Sequence, residues 1–330
     1  MSTLFSHFFA KINQFSPLEH DFTEVLDTIV LKPKTLYFYG KIPENMSKTN
    51  NFNYTLQNEK SKKSTTKNRT KSKTERPKTV AIVGSRHNTR YGEEVAYKMA
   101  YKLAKNGVVI ISGLAYGIDS IAHRACLDAG GTTVAVLGTP IDYIYPVAHK
   151  SLAKDIIEKG GAVISEYAPG AKIFPKTSFL ERNRIVSGLS DIIVVVEAAE
   201  KSGSLNTAAH ALEQGKEVFA VPGNITNPYS QGCNKLIKHG ANPYTDPEDL
   251  LRLLFPEKYT KKNKKQDQML LFGDTEEETS ILRTLSRGLR DGEDIMKALN
   301  MPVAEFNQTM TLLEIRGVVR SLGANKWSLS

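Results

Sequence analysis

The chain has only two cysteines in 330 residues, Cys126 and Cys233, far apart and without further ligand-type residues at metal-binding spacing. That excludes a disulfide framework, argues against a structural zinc, and fits a reducing compartment. Long apolar runs are also missing. Phe5, Phe8 and Phe9 near the start are framed by Lys11 and Glu19, with no basic start or small-residue cleavage site. The expectation is a cytoplasmic protein with no membrane partner. Acidic residues fall short of basic ones, 35 against 44, for a formal net charge of +9. Residues 59–78 hold nine Lys or Arg against Glu59 and Glu75, with Ser, Thr and Asn between them. Lacking any apolar periodicity, this stretch reads as a disordered basic insertion at about 45–78. It is either a solvated tether or an arm that steers nucleic acid. A second basic run, Lys258 to Lys265, falls in a linker at 256–276 and carries the same two readings.

What is present is a series of short strands that are apolar throughout. Val80–Val83, Val108–Ile111, Thr133–Leu137, Gly161–Ser165, Ile192–Val196 and Val218–Val221 recur with helix-length segments between most of them. Strands without polar alternation need cover on both faces, which predicts a doubly wound, mostly parallel α/β sheet of Rossmann-like type. A chain of this length can bury such a core of roughly 200 residues and still carry a small second domain. The unusual residues cluster where those strands end, at Gly84-Ser85-Arg86, Ser112-Gly113, Gly138, Glu166, Glu197 and Pro222-Gly223-Asn224. Ligands of open α/β sheets bind beyond the carboxyl ends of the strands. At the first of these ends the glycine admits close backbone approach, the amides can face one anion, and Arg86 adds a forked donor.

Taken in order, the motifs of Val80 to about Ala241 resemble the DprA/Smf family of DNA-processing proteins. The matching stretches include Val80-Ala-Ile-Val-Gly-Ser-Arg86, Ser112-Gly-Leu-Ala-Tyr-Gly-Ile-Asp119, Arg182-Asn-Arg-Ile-Val-Ser-Gly-Leu-Ser190, Ser202-Gly-Ser-Leu-Asn-Thr207 and Val218-Phe-Ala-Val-Pro-Gly223. Lys34-Thr-Leu-Tyr-Phe-Tyr-Gly40 resembles the strand that precedes the fingerprint in that family, so the main domain is expected over 31–255, after a short N-terminal segment of 1–30. The resemblance implies a single-stranded DNA-binding protein rather than a catalyst. It also implies a homodimer that protects incoming DNA in natural transformation and helps load the RecA recombinase, with no cofactor. The phosphate- and DNA-binding residues it points to are Gly84, Ser85, Arg86, Gly113, Phe179, Arg182, Asn183, Arg184, Ser202, Gly203, Ser204, Thr207, Asn234 and Lys235. Their chemistry is suited to this: guanidiniums and an amide for phosphates, an aromatic face for an unpaired base, and hydroxyls with free amides at a helix start. Each also has a plain structural reading. Phe179 can pack under its own helix, Arg182 can pair with Glu181 or Glu197, and Ser202 can simply cap.

Glu166 and Glu197 are read as carboxylates that orient the arginines. Asp119 is expected to cap its helix and His123 to hydrogen-bond inside the fold. Thr139-Pro-Ile-Asp142 departs from the family's glycine-bearing turn and is given no role. Cys233 stands where that family usually has Ser, and it too is given none. Residues 277–330 form three amphipathic helices and a hairpin turning at Gly323-Ala-Asn325, which resembles a winged-helix end, with Trp327 in its core. The third helix has Arg316 as its one basic residue, so duplex binding or protein contact are both open. Two enzyme classes compete with the DNA-binding reading. Gly203-Ser-Leu-Asn-Thr207 followed by Glu213 faintly resembles a phosphoribohydrolase pattern, but lacks its glycine pair. A dinucleotide dehydrogenase would need Gly-x-Gly-x-x-Gly at the first turn, which is absent.

Overall fold

The computed structural model describes residues 12–44, 76–259 and 273–329. The basic stretch at 45–75 and the linker run at 260–272 lie outside the described residues. Two units divide at Leu254/Phe255.

The larger unit is built on a nine-stranded sheet. Its strands are β1 (Asn13–Phe15), β2 (Leu36–Gly40), β3 (Thr79–Val83), β4 (Val109–Ser112), β5 (Thr133–Leu137), β6 (Ala162–Ser165), β7 (Ile192–Val195), β8 (Glu217–Ala220) and β9 (Asn242–Pro243), in the order β1-β2-β6-β5-β4-β3-β7-β8-β9. From β6 to β9 all pairings are parallel, while β2 runs antiparallel to β6 and β1 to β2. The helices are α1 (Arg90–Lys105), α2 (Ile118–Asp128), α3 (Lys150–Glu158), α4 (Pro175–Gly188), α5 (Gly203–Glu213), α6 (Gln231–Lys238) and α7 (Pro247–Leu254).

Every residue of β3 through β7 is buried, as strands covered on both faces must be. On one face Ala81, Val83, Val134 and Val136 pack with Ile185 of α4, Leu189 at its C-cap and Ala208 of α5. Their neighbours Ala135, Leu137 and Val163 point the other way and pack with Leu127 of α2 and Leu152 of α3. Strand order runs outward from β3 to β6, then returns through α4 to place β7 on the other side of β3. The carboxyl ends of β3, β4 and β7 therefore meet at a topological switch point, where an open sheet leaves a crevice.

Two features differ from the sequence expectation. Residues 12–30 are not a separate piece, because Phe22, Leu26 and Ile29 are buried in the main core against the α4 side. Nor does the end of the basic stretch stay solvated. Arg76 bonds Asp191 at 3.0 Å and the carbonyls of Leu189 and Phe22, which ties the entry of β3 to that of β7. Alternation of charge in the sequence could not show this, because the partners lie 54 to 115 positions away.

The second unit contains α8 (Glu276–Ser286), α9 (Gly292–Leu299) and α10 (Val303–Ile315), then a hairpin of β10 (Val319–Gly323) and β11 (Lys326–Leu329). Thr275 and Asp291 cap the first two helices through their side chains. Ile281, Leu285, Ile295, Phe306, Met310 and Leu313 form its core, with Trp327 partly buried against it. Positive φ at Gly323, Ala324 and Asn325 makes the turn. Arg316, the basic residue closing α10, is paired with both Asp274 and Glu278.

Candidate functional site

The crevice at the switch point is a cleft of about 390 Å³. Three chain segments build its rim, and local sequence explains each. The first is the turn Gly84-Ser85-Arg86-His87, where Ser85 Oγ accepts from the His87 amide at 3.0 Å. This turn lies directly on the one after β4. At Gly117, φ is +74° and a Cβ would stand 2.3 Å from the Ser85 carbonyl oxygen, so only glycine fits. The second segment is the start of α5. Ser202 caps it by accepting from the Ser204 amide at 3.3 Å, and the Gly203 amide, at the first helical position, has no carbonyl four residues back to bond. The third is α4, which brings Arg182 and Asn183 to the floor and Phe179 to the mouth.

Of the residues singled out in the sequence, Gly84, Ser85, Arg86, Gly113, Phe179, Arg182, Asn183, Ser202, Gly203, Ser204 and Thr207 all line this cleft. Arg184, Asn234 and Lys235 do not. Arg184 points to the other side of α4 and holds Glu166 in a two-pronged pair at 3.0 and 2.7 Å. Asn234 brackets Gly223, accepting from its amide at 3.2 Å and donating to its carbonyl at 3.0 Å. Lys235 faces Glu200 at 3.6 Å.

Within the cleft the two arginines differ. Arg86 is exposed and has no hydrogen bond or ion pair among the described residues; its guanidinium sits 5.7 Å from the Phe179 ring centre. Arg182 is 5% exposed. One of its terminal nitrogens donates to the carbonyls of Gly113, at 2.8 Å, and Val136, and its Nε donates to Asn183 Oδ1 at 3.2 Å. Burial brings its pKa down to about 10, with the Asp119 carboxylate acting against the fall, so it remains charged at neutral pH. Arg182 thus spends two of its five donors on the ends of β4 and β5, and Gly113 leaves the room for it, since a Cβ there would stand 2.5 Å from the guanidinium.

Of the acidic residues, Glu166 orients Arg184 as the sequence suggests, whereas Glu197 and Asp119 do not follow the expectation. Glu197 orients neither arginine. It accepts from the amide and hydroxyl of Thr89 at 2.8 and 2.5 Å and so fixes the start of α1 to the end of β7. Asp119 does not cap α2, whose N-cap is Gly117. It reaches back to accept from the Gly113 amide at 3.0 Å, and burial raises its pKa. Phe179 does not pack beneath its helix. It stands at the mouth between Arg86 and Tyr145, whose ring centre is 5.5 Å away. Tyr145, with Tyr116, lines a small extension of the cleft and is not among the site residues expected from the sequence; the two tyrosines of Tyr143-Ile-Tyr-Pro146, exposed on either side of the buried Ile144, are the signal for it.

His123 is fully buried, with Nδ1 2.7 Å from the Thr133 hydroxyl and no partner for Nε2. Burial, then the nearby charges of His149, Arg182 and Arg124, lowers its pKa to about 3. The unfolded value is about 6.5, so the stability it contributes is complete above that pH and is lost as pH falls toward the folded value. Urea midpoints measured between about pH 7.5 and 4.5 should fall less in His123→Gln than in the parent. Equal slopes would show that another group governs the acid side.

Glu213, the carboxylate of the phosphoribohydrolase-like pattern, closes the far end of α5 beside His210 and does not line the cleft. Among the described residues no three His, Cys, Asp or Glu are placed to hold a metal ion, and no helix is long and apolar enough to cross a membrane.

The family model, the curated relatives and the two solved structures of higher identity point to one family. The family model "DNA recombination-mediator protein A" matches residues 68–255. Protein Smf of Escherichia coli is 50% identical over 179 residues, which is 53% of this chain and 46% of that protein. The chain thus spans about half the length of the curated relatives it first matches. Among solved structures, DNA processing protein A of Streptococcus pneumoniae matches with a TM-score of 0.57 at 36% identity, over 76% of this chain and 77% of that one. DNA processing protein A of Helicobacter pylori, whose structure addresses its single-stranded DNA binding mode, matches with a TM-score of 0.59 at 28% identity, over 76% and 98%.

Proposed function

The chain belongs to the DprA/Smf family of DNA-processing proteins, and from that premise we propose that it is a cytoplasmic single-stranded DNA-binding protein of DNA uptake and recombination rather than an enzyme. The bound strand would be protected and passed to RecA by a homodimer. The site residues are those gathered in the switch-point cleft. Arg86, the Gly203 amide and the exposed edge of Arg182 take phosphates, and Phe179 offers a face to an unpaired base. Arg184, Asn234 and Lys235 act, on this reading, by shaping the surrounding loops.

One observation carries the proposal. Arg86 is an exposed cation with no carboxylate partner among the described residues, poised over an aromatic ring at the mouth of a cleft rimmed by helix-start amides. A guanidinium beside an aromatic face is a pairing suited to a flexible strand, where a base can leave its neighbours and stack. A duplex keeps its bases paired and cannot use the ring.

Binding of a labelled homopolymeric strand and of the matching duplex, across a salt series, tests this. The expected result is preference for the single strand, with log affinity falling linearly with log salt. Equal, weak binding to both would reduce the nucleic-acid contacts to non-specific charge. Release of free base from nucleoside monophosphates would replace the reading with an enzymatic one.

A further inference from the structure

Beside the cleft lies a second recess of about 540 Å³, at the carboxyl end of β5. Its walls include Pro140, Asp142, Tyr143, Tyr145, Ile173 and Phe179. Phe179 belongs to the cleft, to the recess, and to the small extension between them, so the three adjoin one another around its ring. We propose that this recess seats the next unpaired base of the strand whose phosphates lie at Arg86, with Tyr143 and Tyr145 as its stacking faces. The inference rests on the single-strand reading of the cleft and extends it by one nucleotide site.

The chemistry of the walls selects a base over a phosphate. Among the described residues no Lys or Arg lines the recess, and its one charged member is Asp142, whose carboxylate accepts from the Gly170 amide at 3.1 and 3.0 Å. A phosphate would meet a carboxylate and no cation there. A base meets aromatic faces and an acceptor for its N–H groups. Tyr143 and Tyr145 are 51% and 40% exposed, large apolar faces left uncovered on a well-held turn. That turn is fixed by its backbone: the Thr139 hydroxyl donates to the Tyr143 carbonyl at 2.6 Å, and the Tyr143 amide donates to the Pro140 carbonyl at 2.9 Å. The rings are thus presented without the entropy cost of a mobile loop. The Tyr145 and Phe179 rings are inclined at 46°, so successive bases resting on them would be splayed rather than kept in one stack. This also gives Thr139-Pro-Ile-Asp142 a place in the site.

The test compares the full chain with Tyr143→Ala and Tyr143→Phe on two strands of equal length, one of thymidine and one of abasic residues. Tyr143→Ala should bind the thymidine strand at least about fivefold more weakly, the loss expected from about 1 kcal/mol of stacking. Tyr143→Phe should match the parent, and the difference between parent and Tyr143→Ala should vanish on the abasic strand. Photo-cross-linking of a 5-iodouracil strand should label Tyr143 or Tyr145 as well as Phe179. Cross-links confined to Phe179, with Tyr143→Ala binding thymidine as the parent does, would overturn this inference while leaving the cleft reading intact. A chain that binds neither strand, or binds the thymidine strand equally well after Arg86→Ala, would overturn both.

Discussion

Arg86→Ala is expected to weaken single-strand binding by about 1.5–3 kcal/mol, roughly ten- to a hundredfold at low salt. The size follows from what Arg86 does and does not touch. It is exposed and has no hydrogen bond or ion pair among the described residues, its guanidinium resting 5.7 Å from the Phe179 ring centre, so its removal should move folding stability by no more than about 0.5 kcal/mol. A loss of affinity in this variant therefore reports on the ligand and not on the fold. One phosphate contact fewer should also lower the slope of log affinity against log salt by about 0.7. Arg86→Lys separates charge from geometry: it keeps the salt slope but loses the forked donor, and should fall between parent and alanine. Unchanged affinity in Arg86→Ala would move the proposed site away from the β3 turn.

The position of this site was legible in the sequence because two signals coincide. Uninterrupted apolar strands give a parallel sheet, and glycine with serine at their ends gives turns that approach one another. Both are local properties of the chain, and the strand limits differ from the sequence reading by about one residue. The missed features are those that depend on direction or distance. Arg182 and Arg184 were grouped because they are close in sequence, yet on a helix residues two apart point about 200° from each other. The helix was legible, so this separation was too. Glu197 with Thr89, and Arg76 with Asp191, are pairings across more than a hundred positions and left no local trace. Asp119 was read as a cap because it opens a helix, but its carboxylate is used by the Gly113 amide of the preceding turn. Tyr145 belongs to the stretches that resemble the family, but no periodicity marks either it or Tyr143 as a site residue.

Arg182→Met should act through stability first, and by more than any other single change at the site. Its guanidinium donates to the carbonyls of Gly113 and Val136 and to Asn183, and its charge offsets the buried Asp119 carboxylate. Methionine fills similar space but leaves these acceptors unmet and the carboxylate uncompensated, a loss of about 3–5 kcal/mol. For a domain of this size that is a fall in Tm of roughly 6–20 °C. The pH dependence gives an independent check. Burial already raises the Asp119 pKa, so its contribution to stability is lost as pH rises through the folded value. Without Arg182 the pKa rises further, and the variant should lose stability more steeply than the parent as pH rises above the unfolded value of about 4. Adding Asp119→Asn removes the titrating group and keeps an acceptor for the Gly113 amide. The double variant should regain part of the loss, and the coupling energy measures the charge interaction directly. Were Arg182 chiefly a phosphate ligand, the single variant would keep its Tm and lose only affinity. The structure argues for the other order of effects: Arg182 holds the ends of β4 and β5 together, and the cleft that Arg86 overlooks exists because they are held.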